Sequence, residues 1–122
     1  MATDGMIEEQ ATVFNAFADP TRLRVVRLLA RQRAPDALCV NALADLLGVT
    51  QSAVSQHLRV LKTLGLVRGN RRGNRIHYFV VREALAHCRE LVLGALSPEN
   101  DADAERCECC CRDLSEPDRP RD

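Results

Sequence analysis

VNALADLLGVTQSAVSQHLRVLKTLGLVRGNRRGNRIHY, residues 40–78, decides the fold. Val40 to Leu47 places Leu43 and Leu47 at i, i+4 and predicts a short helix. Gly48 follows it, a residue able to take positive φ and so to end a helix. Thr50 can cap a second helix, which continues to about Leu64 with Val54, Leu58 and Leu61 as its buried stripe. Gly65 stops that helix. Leu66–Gly69 and Arg75–Val81 predict two strands, and Asn70 to Asn74 supplies turn residues between them. Short helix, glycine turn, polar helix and basic hairpin, in that order, predict a mainly α fold with a small β-hairpin: a winged helix-turn-helix.

The flanks extend the helical pattern. Ile7, Ala11, Phe14 and Phe17, with Val13 nearby, predict a helix over Ile7 to Ala18. Asp19-Pro20 then restarts the chain, because Asp19 can cap and Pro20 fits a first helical position. The helix that follows spans about Thr21 to Ala30, with Leu23, Val25, Val26 and Leu29 on its apolar side. Arg31 to Asp36, with Pro35, reads as a loop. Glu83 to Leu96 predicts a last helix, lined on one side by Leu85, Cys88, Val92 and Leu96 with Leu91 beside them. Pro98 ends it.

Charge is distributed unevenly. The chain of 122 residues has formal net charge +0. Yet Leu46 to Arg82 holds seven basic side chains and no acid: Arg59, Lys62, Arg68, Arg71, Arg72, Arg75 and Arg82. From Glu99 onward there are nine acids and four basic residues, a net of −5 (4 − 9). With Pro117, Pro120 and few apolar residues, that stretch is expected to be mostly flexible. No apolar run reaches the ~18 residues of a membrane span. The start, MATDGMIEEQ, lacks the basic and apolar regions of a signal peptide. A cytoplasmic protein without membrane partners is expected, in a compartment that keeps thiols reduced.

The second helix of a helix-turn-helix enters the major groove, and its early residues reach base edges. Here those are Gln51, Ser52, Ser55, Gln56 and His57, whose donors and acceptors suit base readout. Arg59 and Lys62 lie further along and suit phosphates. Arg71, Arg72 and Arg75 sit on or beside the hairpin tip, where they can follow a backbone or enter the minor groove. Singly, each of these residues fits a solvated polar surface. Period, glycine turn, cap and charge segregation agree on double-stranded DNA as the partner.

FADPTRLRVVRLL (17–29), LADLLGVTQSAVSQHLRVLKTLGLV (43–67) and RRGNRIHY (71–78) together resemble the ArsR/SmtB family of metal-responsive repressors. The resemblance covers about Phe17 to Tyr78. It implies a homodimer joined through the first and last helices, and a repressor that leaves its operator when an inducer binds. Residues 1–98 would then be a DNA-binding and dimerisation domain, and 99–122 an acidic cysteine-rich tail.

The inducer is not fixed by the resemblance. One family pattern places Cys-x-Cys at the short helix before the reader; this chain has Cys39-Val40-Asn41, a single thiol. Another uses Asp and His on the last helix; Arg82 and Ala84 align with that Asp-x-His pair, and His87 with Glu90 does not replace it. A last-helix zinc site is therefore not expected. Four of the six cysteines fall in Cys107-Glu108-Cys109-Cys110-Cys111. Adjacent Cα atoms lie ~3.8 Å apart, short of the ~4.4–6.8 Å usual for a disulfide. A thiolate cluster is the better reading. Cys107, Cys109, Cys110 and Cys111 are soft donors, suited to As(III) or Sb(III) through three sulfurs; Cd, Zn or Cu(I) can use the same set. Arg106 and Arg112 flank them and can lower thiol pKa values. Cys88 on an apolar helix face is expected to be a small core residue. Cys39 resembles it, or joins a ligand set across a dimer. His77 and His87 are expected at the surface or in packing.

Two competing readings remain open. A thiol redox or persulfide sensor would use Cys39, Cys88 or the tail, and would keep the DNA-binding half. A cysteine-rich metal carrier or thiol enzyme would need only the tail, and the acid-free basic segment argues against it. No paired carboxylates, phosphate-cradling glycine loop or nucleophile with a base is evident, so catalysis is not expected.

Overall fold

A computed structural model describes residues 4–32 and 38–97. Helix α1 (Asp4–Phe17) buries Gln10, Val13 and Ala16. Its end is tied by Arg22, whose Nε donates to the Ala16 carbonyl at 2.7 Å and whose Nη2 donates to the Asn15 carbonyl at 3.1 Å. Asp19 caps α2 (Pro20–Arg31), as its sequence predicts. Asp19 Oδ1 accepts from the N–H groups of Thr21 and Arg22 at 2.8 and 3.0 Å. Such caps are typically worth about 1 kcal/mol. Helix α2 buries Val25, Val26 and Leu29 while Leu23 stays exposed.

Strand β1 (Leu38–Cys39) was not foreseen from the sequence. Two residues show no period, and the strand exists through its pairing with a later one. Most of the expected 31–36 loop lies outside the described residues. Helix α3 (Val40–Leu47) has the predicted bounds and ends at Gly48, φ 66°. Thr50 Oγ1 accepts from Ala53 N–H at 3.1 Å and caps α4 (Gln51–Thr63). Helix α4 buries Val54, Leu58 and Leu61, and Gly65, φ 75°, turns the chain away.

Strands β2 (Val67–Arg72) and β3 (Arg75–Val80) pair from Val67↔Val80 to Arg72↔Arg75. The ladder runs further out than expected, and the turn shrinks to Gly73-Asn74. Gly73 has φ 61° and Asn74 does not share its sign, which puts glycine first, as a type II′ hairpin requires. The antiparallel sheet has order β1-β3-β2. Helix α5 (Arg82–Ala95) packs on α1. Arg82 Nη2 donates to the carbonyls of Ala30 and Gln32, fixing the start of α5 to the end of α2.

The core gathers Val25, Leu29, Leu43, Val54, Leu58, Leu61, Leu66 and Val67, from α2, α3, α4 and the base of the hairpin. Each such aliphatic contributes about 1.5–3 kcal/mol on burial. The two helices of the reading unit and the wing thus share one packed base, and the arrangement is a winged helix-turn-helix. Gln10 is buried too, between α1 and α5, where its Nε2 donates to the Leu91 carbonyl at 3.2 Å. Among the described residues, no helix is long and apolar enough to cross a membrane.

Candidate nucleic-acid interface

Because α4 buries Val54, Leu58 and Leu61, helical geometry turns its other side outward. Gln51, Ser52, Ser55, Gln56, Arg59 and Lys62 are all exposed on it. His57 is not grouped with them. It is half-buried, and its Nε2 stands 3.9 Å from Asp19 Oδ1 at the head of α2. Of the five early residues expected to reach bases, four face solvent and His57 faces the protein.

The wing is set beside this helix. Ser55, Leu58, Arg59, Lys62, Thr63 and Tyr78 line a cleft between α4 and β3. Lys62 Nζ lies 5.8 Å from the centre of the Tyr78 ring, a cation over an aromatic face. Tyr78 is buried, so its ring is a fixed support for that ammonium. Sequence reading missed Tyr78, since nothing local connects residue 78 to residue 62. It also left Arg68 without a role, although Arg68 is exposed on the same hairpin.

Gly69 pairs with Tyr78 across the hairpin. A Cβ at Gly69 would stand 2.7 Å from Ile76 Cγ2 and 3.1 Å from the Tyr78 ring. The ring needs that space. In register, Gly69, Arg71, Ile76 and Tyr78 share one face of the hairpin, while Arg72 and Arg75 share the other with His77. The wing therefore carries arginines on both faces, all exposed.

None of Arg59, Lys62, Arg68, Arg71, Arg72 and Arg75 has an acidic partner among the described residues; the ion pairs there are His57–Asp19 and His87–Glu9. Arg72 and Arg75 stand directly opposite each other. Like charges in that position destabilise a hairpin. A surface built this way is suited to a polyanion that neutralises it.

The tail cysteines Cys107, Cys109, Cys110 and Cys111 lie outside the described residues, as does the boundary expected after residue 98. Cys39 is half-buried on β1, and Cys88 is buried on α5. Burial first, and the charge of Glu9 second, push the Cys88 thiol up. That shift makes the thiol less ready than an ordinary cysteine to act as a thiolate. Among the described residues, no three His, Cys, Asp or Glu side chains are grouped to hold a metal ion.

A second surface belongs to α1 and α5. Phe14, Phe17, Leu85, Cys88, Val92 and Leu93 form an almost wholly apolar groove, edged by Arg89. Leu93 is 56% exposed and Leu96 69% exposed, and Ile7 on α1 is 51% exposed. Sequence periodicity marks several of these as one apolar side, yet the described residues do not cover them.

Residues 19–68 match the family described as bacterial regulatory protein, arsR family. An uncharacterised HTH-type transcriptional regulator of Methanocaldococcus jannaschii is 35% identical over 85 residues, which is 70% of this chain and 92% of that protein. A SmtB-homologue transcriptional repressor of Synechocystis is 44% identical over 58% of this chain, which spans 51% of the repressor's length. Among solved structures, a possible transcriptional regulator for arsenical resistance superimposes with TM-score 0.63 at 36% identity, over 77% of this chain and 97% of the other. A homodimeric winged helix-turn-helix DNA-binding domain from Mycobacterium bovis gives TM-score 0.59 at 28% identity, over 85% and 95%.

Proposed function

Because the chain belongs to the arsR family of bacterial regulatory proteins, we propose that it is a homodimeric repressor that a thiophilic metal or metalloid releases from operator DNA. A transcriptional regulator rather than an enzyme is what family and fold establish. The operator-facing surface is α4 with the wing. Gln51, Ser52, Ser55 and Gln56 read base edges in the major groove. Arg59, Lys62, Arg71, Arg72 and Arg75 neutralise phosphates, and Arg68 joins them. The observation that carries this reading is a cationic surface, paired with no acid among the described residues, around an outward polar helix face.

The dimer forms through α1 and α5. Its support is the apolar groove and the exposed Leu93, Leu96 and Ile7. Removing such a patch from water favours association at roughly 25 cal/mol per Å² of apolar area, before the costs of binding. The homodimeric relative from Mycobacterium bovis has the same fold.

For the inducer, the donors are Cys107, Cys109, Cys110 and Cys111. Three thiolates suffice for As(III) or Sb(III); Cd, Zn or Cu(I) can use the same sulfurs. Cys88, buried and with its thiol pushed up, is less suited to lead such a site. The solved relative connected with arsenical resistance agrees with a metalloid. The test is a gel-shift of the full chain on the DNA upstream of its own gene, with a panel of these ions. Binding without ions and release by As(III) or Sb(III) are expected. Absence of any shift would remove the DNA reading. Release by none of the ions would remove the inducer reading alone.

A further inference from the structure

His57 is the one member of the reading helix's early polar run that faces the protein. Its Nε2 stands 3.9 Å from Asp19 Oδ1, with the two side chains 20% and 34% exposed. Asp19 is already engaged: the same oxygen accepts the N–H groups of Thr21 and Arg22 at the head of α2. Arg22 turns back and ties the Ala16 and Asn15 carbonyls at the foot of α1. One small polar node thus joins the end of α1, the start of α2 and the middle of α4.

The rest of α4 is held by apolar contacts from Val54, Leu58 and Leu61. Such contacts hold a helix at its depth but let it roll or slide by small amounts, since dispersion and burial are non-directional. The His57–Asp19 contact, at 3.9 Å longer than a hydrogen bond, adds an electrostatic attraction at one point of the helix when His57 carries a proton. Asp19 cannot swing freely, because two backbone N–H groups fix its orientation. Its partner His57 lies next to Gln56 and two residues from Ser55, on the turn that presents them outward.

We propose that Asp19 and His57 form a positioning pair that sets the rotation of the reading helix relative to the α1–α2 corner. Neither residue touches DNA. Because α1 also carries one wall of the apolar groove, a shift of α1 against a second copy reaches α4 through this node. The inference rests on α4 being the DNA-reading helix.

Asp19→Asn keeps a good capping oxygen and removes the carboxylate. His57→Gln removes the imidazole. Each full-length variant should keep a melting temperature near that of the native protein. Each should bind the gene's upstream duplex on the order of three- to tenfold more weakly, toward the lower end of the coupling found between residues in contact. The double variant should be no weaker than the worse single one. Amide hydrogen exchange in α4 around His57, read on the free protein, should quicken in Asp19→Asn. A merely structural cap would leave both α4 exchange and DNA affinity unchanged once the melting temperature is preserved. Multiplying single effects, or native α4 exchange in Asp19→Asn, would overturn the pair. A native chain that binds no duplex would instead remove the reading role of α4, while the exchange measurement still decides whether the two residues hold that helix.

Discussion

Arg72 and Arg75 face each other on the last rung of the β2–β3 hairpin, immediately either side of the Gly73-Asn74 turn. No acid among the described residues pairs with either. Repulsion across one rung costs roughly 0.2–1 kcal/mol. A hairpin selected only for stability would not place two arginines there, and the pair suits an anion, such as a phosphate, that none of the described residues supplies.

Arg75→Thr should therefore have opposite effects on folding and on binding. Thr is a good strand residue, and the substitution should leave stability unchanged or raise it by up to about 1 kcal/mol. Affinity for every duplex should fall, and the slope of log affinity against log salt should flatten by about 0.9 for each lost phosphate contact. Thermal melts and binding at several salt concentrations read both effects. An unchanged salt slope would take Arg75 out of the contact surface.

Ser55→Ala and Gln56→Ala test the other half of the interface. Both side chains are exposed, so folding should be hardly affected. Specific binding should weaken by ~1–3 kcal/mol where a good base contact is lost, and non-specific binding should hardly change. Equal loss on operator and random duplexes would mean that these residues contact backbone and not bases.

The α1–α5 surface predicts a dimer that a single charge can break. Leu93 lies in the apolar groove, 56% exposed. Leu93→Asp should fold, because the side chain is not in the core of one chain. It should sediment as a monomer, since an unpaired charge in an apolar interface costs several kcal/mol. Operator binding should drop with it, because two half-sites need two linked readers. A variant that remains dimeric would place the interface elsewhere.

Asp19 gives the fold a specific acid sensitivity. The Arg22 N–H, first among its causes, holds the Asp19 carboxyl below the ordinary carboxylate range; burial opposes this, and His57, the Thr21 N–H and the Arg22 charge support it. A carboxyl depressed in the folded state adds stability above its unfolded pKa. That stability is lost as pH falls through the lower folded value. Melting temperature should therefore fall on acidification below the usual carboxylate range. In Asp19→Asn the fall should be shallower, while the neutral-pH value stays close to native. Parallel acid profiles for the two proteins would show that this cap is not a source of the sensitivity.

Much of this architecture is legible in the sequence, for physical reasons. The helix α3, the turn at Gly48, the cap at Thr50 and the stop at Gly65 are local signals, and each stands where its chemistry places it. Strand β1 has no local signal, because Leu38 and Cys39 become a strand only against Tyr78 and His77. The support of Lys62 by Tyr78 and the inward turn of His57 toward Asp19 are likewise tertiary. Periodicity marks Phe14 and Leu96 as apolar side chains of amphipathic helices. It does not say whether the same chain or a second copy covers them.

If the four tail cysteines hold the inducer, as proposed, they bear on release. A soft ion that gathers Cys107, Cys109, Cys110 and Cys111 draws together a segment that begins just after α5. Helix α5 lines the apolar groove through Leu85, Cys88, Val92 and Leu93, so a change at its end bears on how two copies pack. Half-sites on DNA demand a fixed spacing of the two reading helices, and a small shift weakens binding. Couplings of ~1–3 kcal/mol, roughly 5–150-fold in affinity, are typical of such linkage. Replacing all four cysteines with Ser should leave ion-free DNA binding intact and abolish release by As(III) or Sb(III). Cys39→Ser and Cys88→Ser should matter less, the second because its thiol is buried and pushed up by that burial. Mass spectrometry of the induced protein separates a retained ion from a sulfur adduct, the mark of a redox or persulfide sensor. Release of the four-Ser variant at the native ion concentration would remove the tail as sensor and turn attention to Cys39, the half-buried thiol on β1 beside the reading unit.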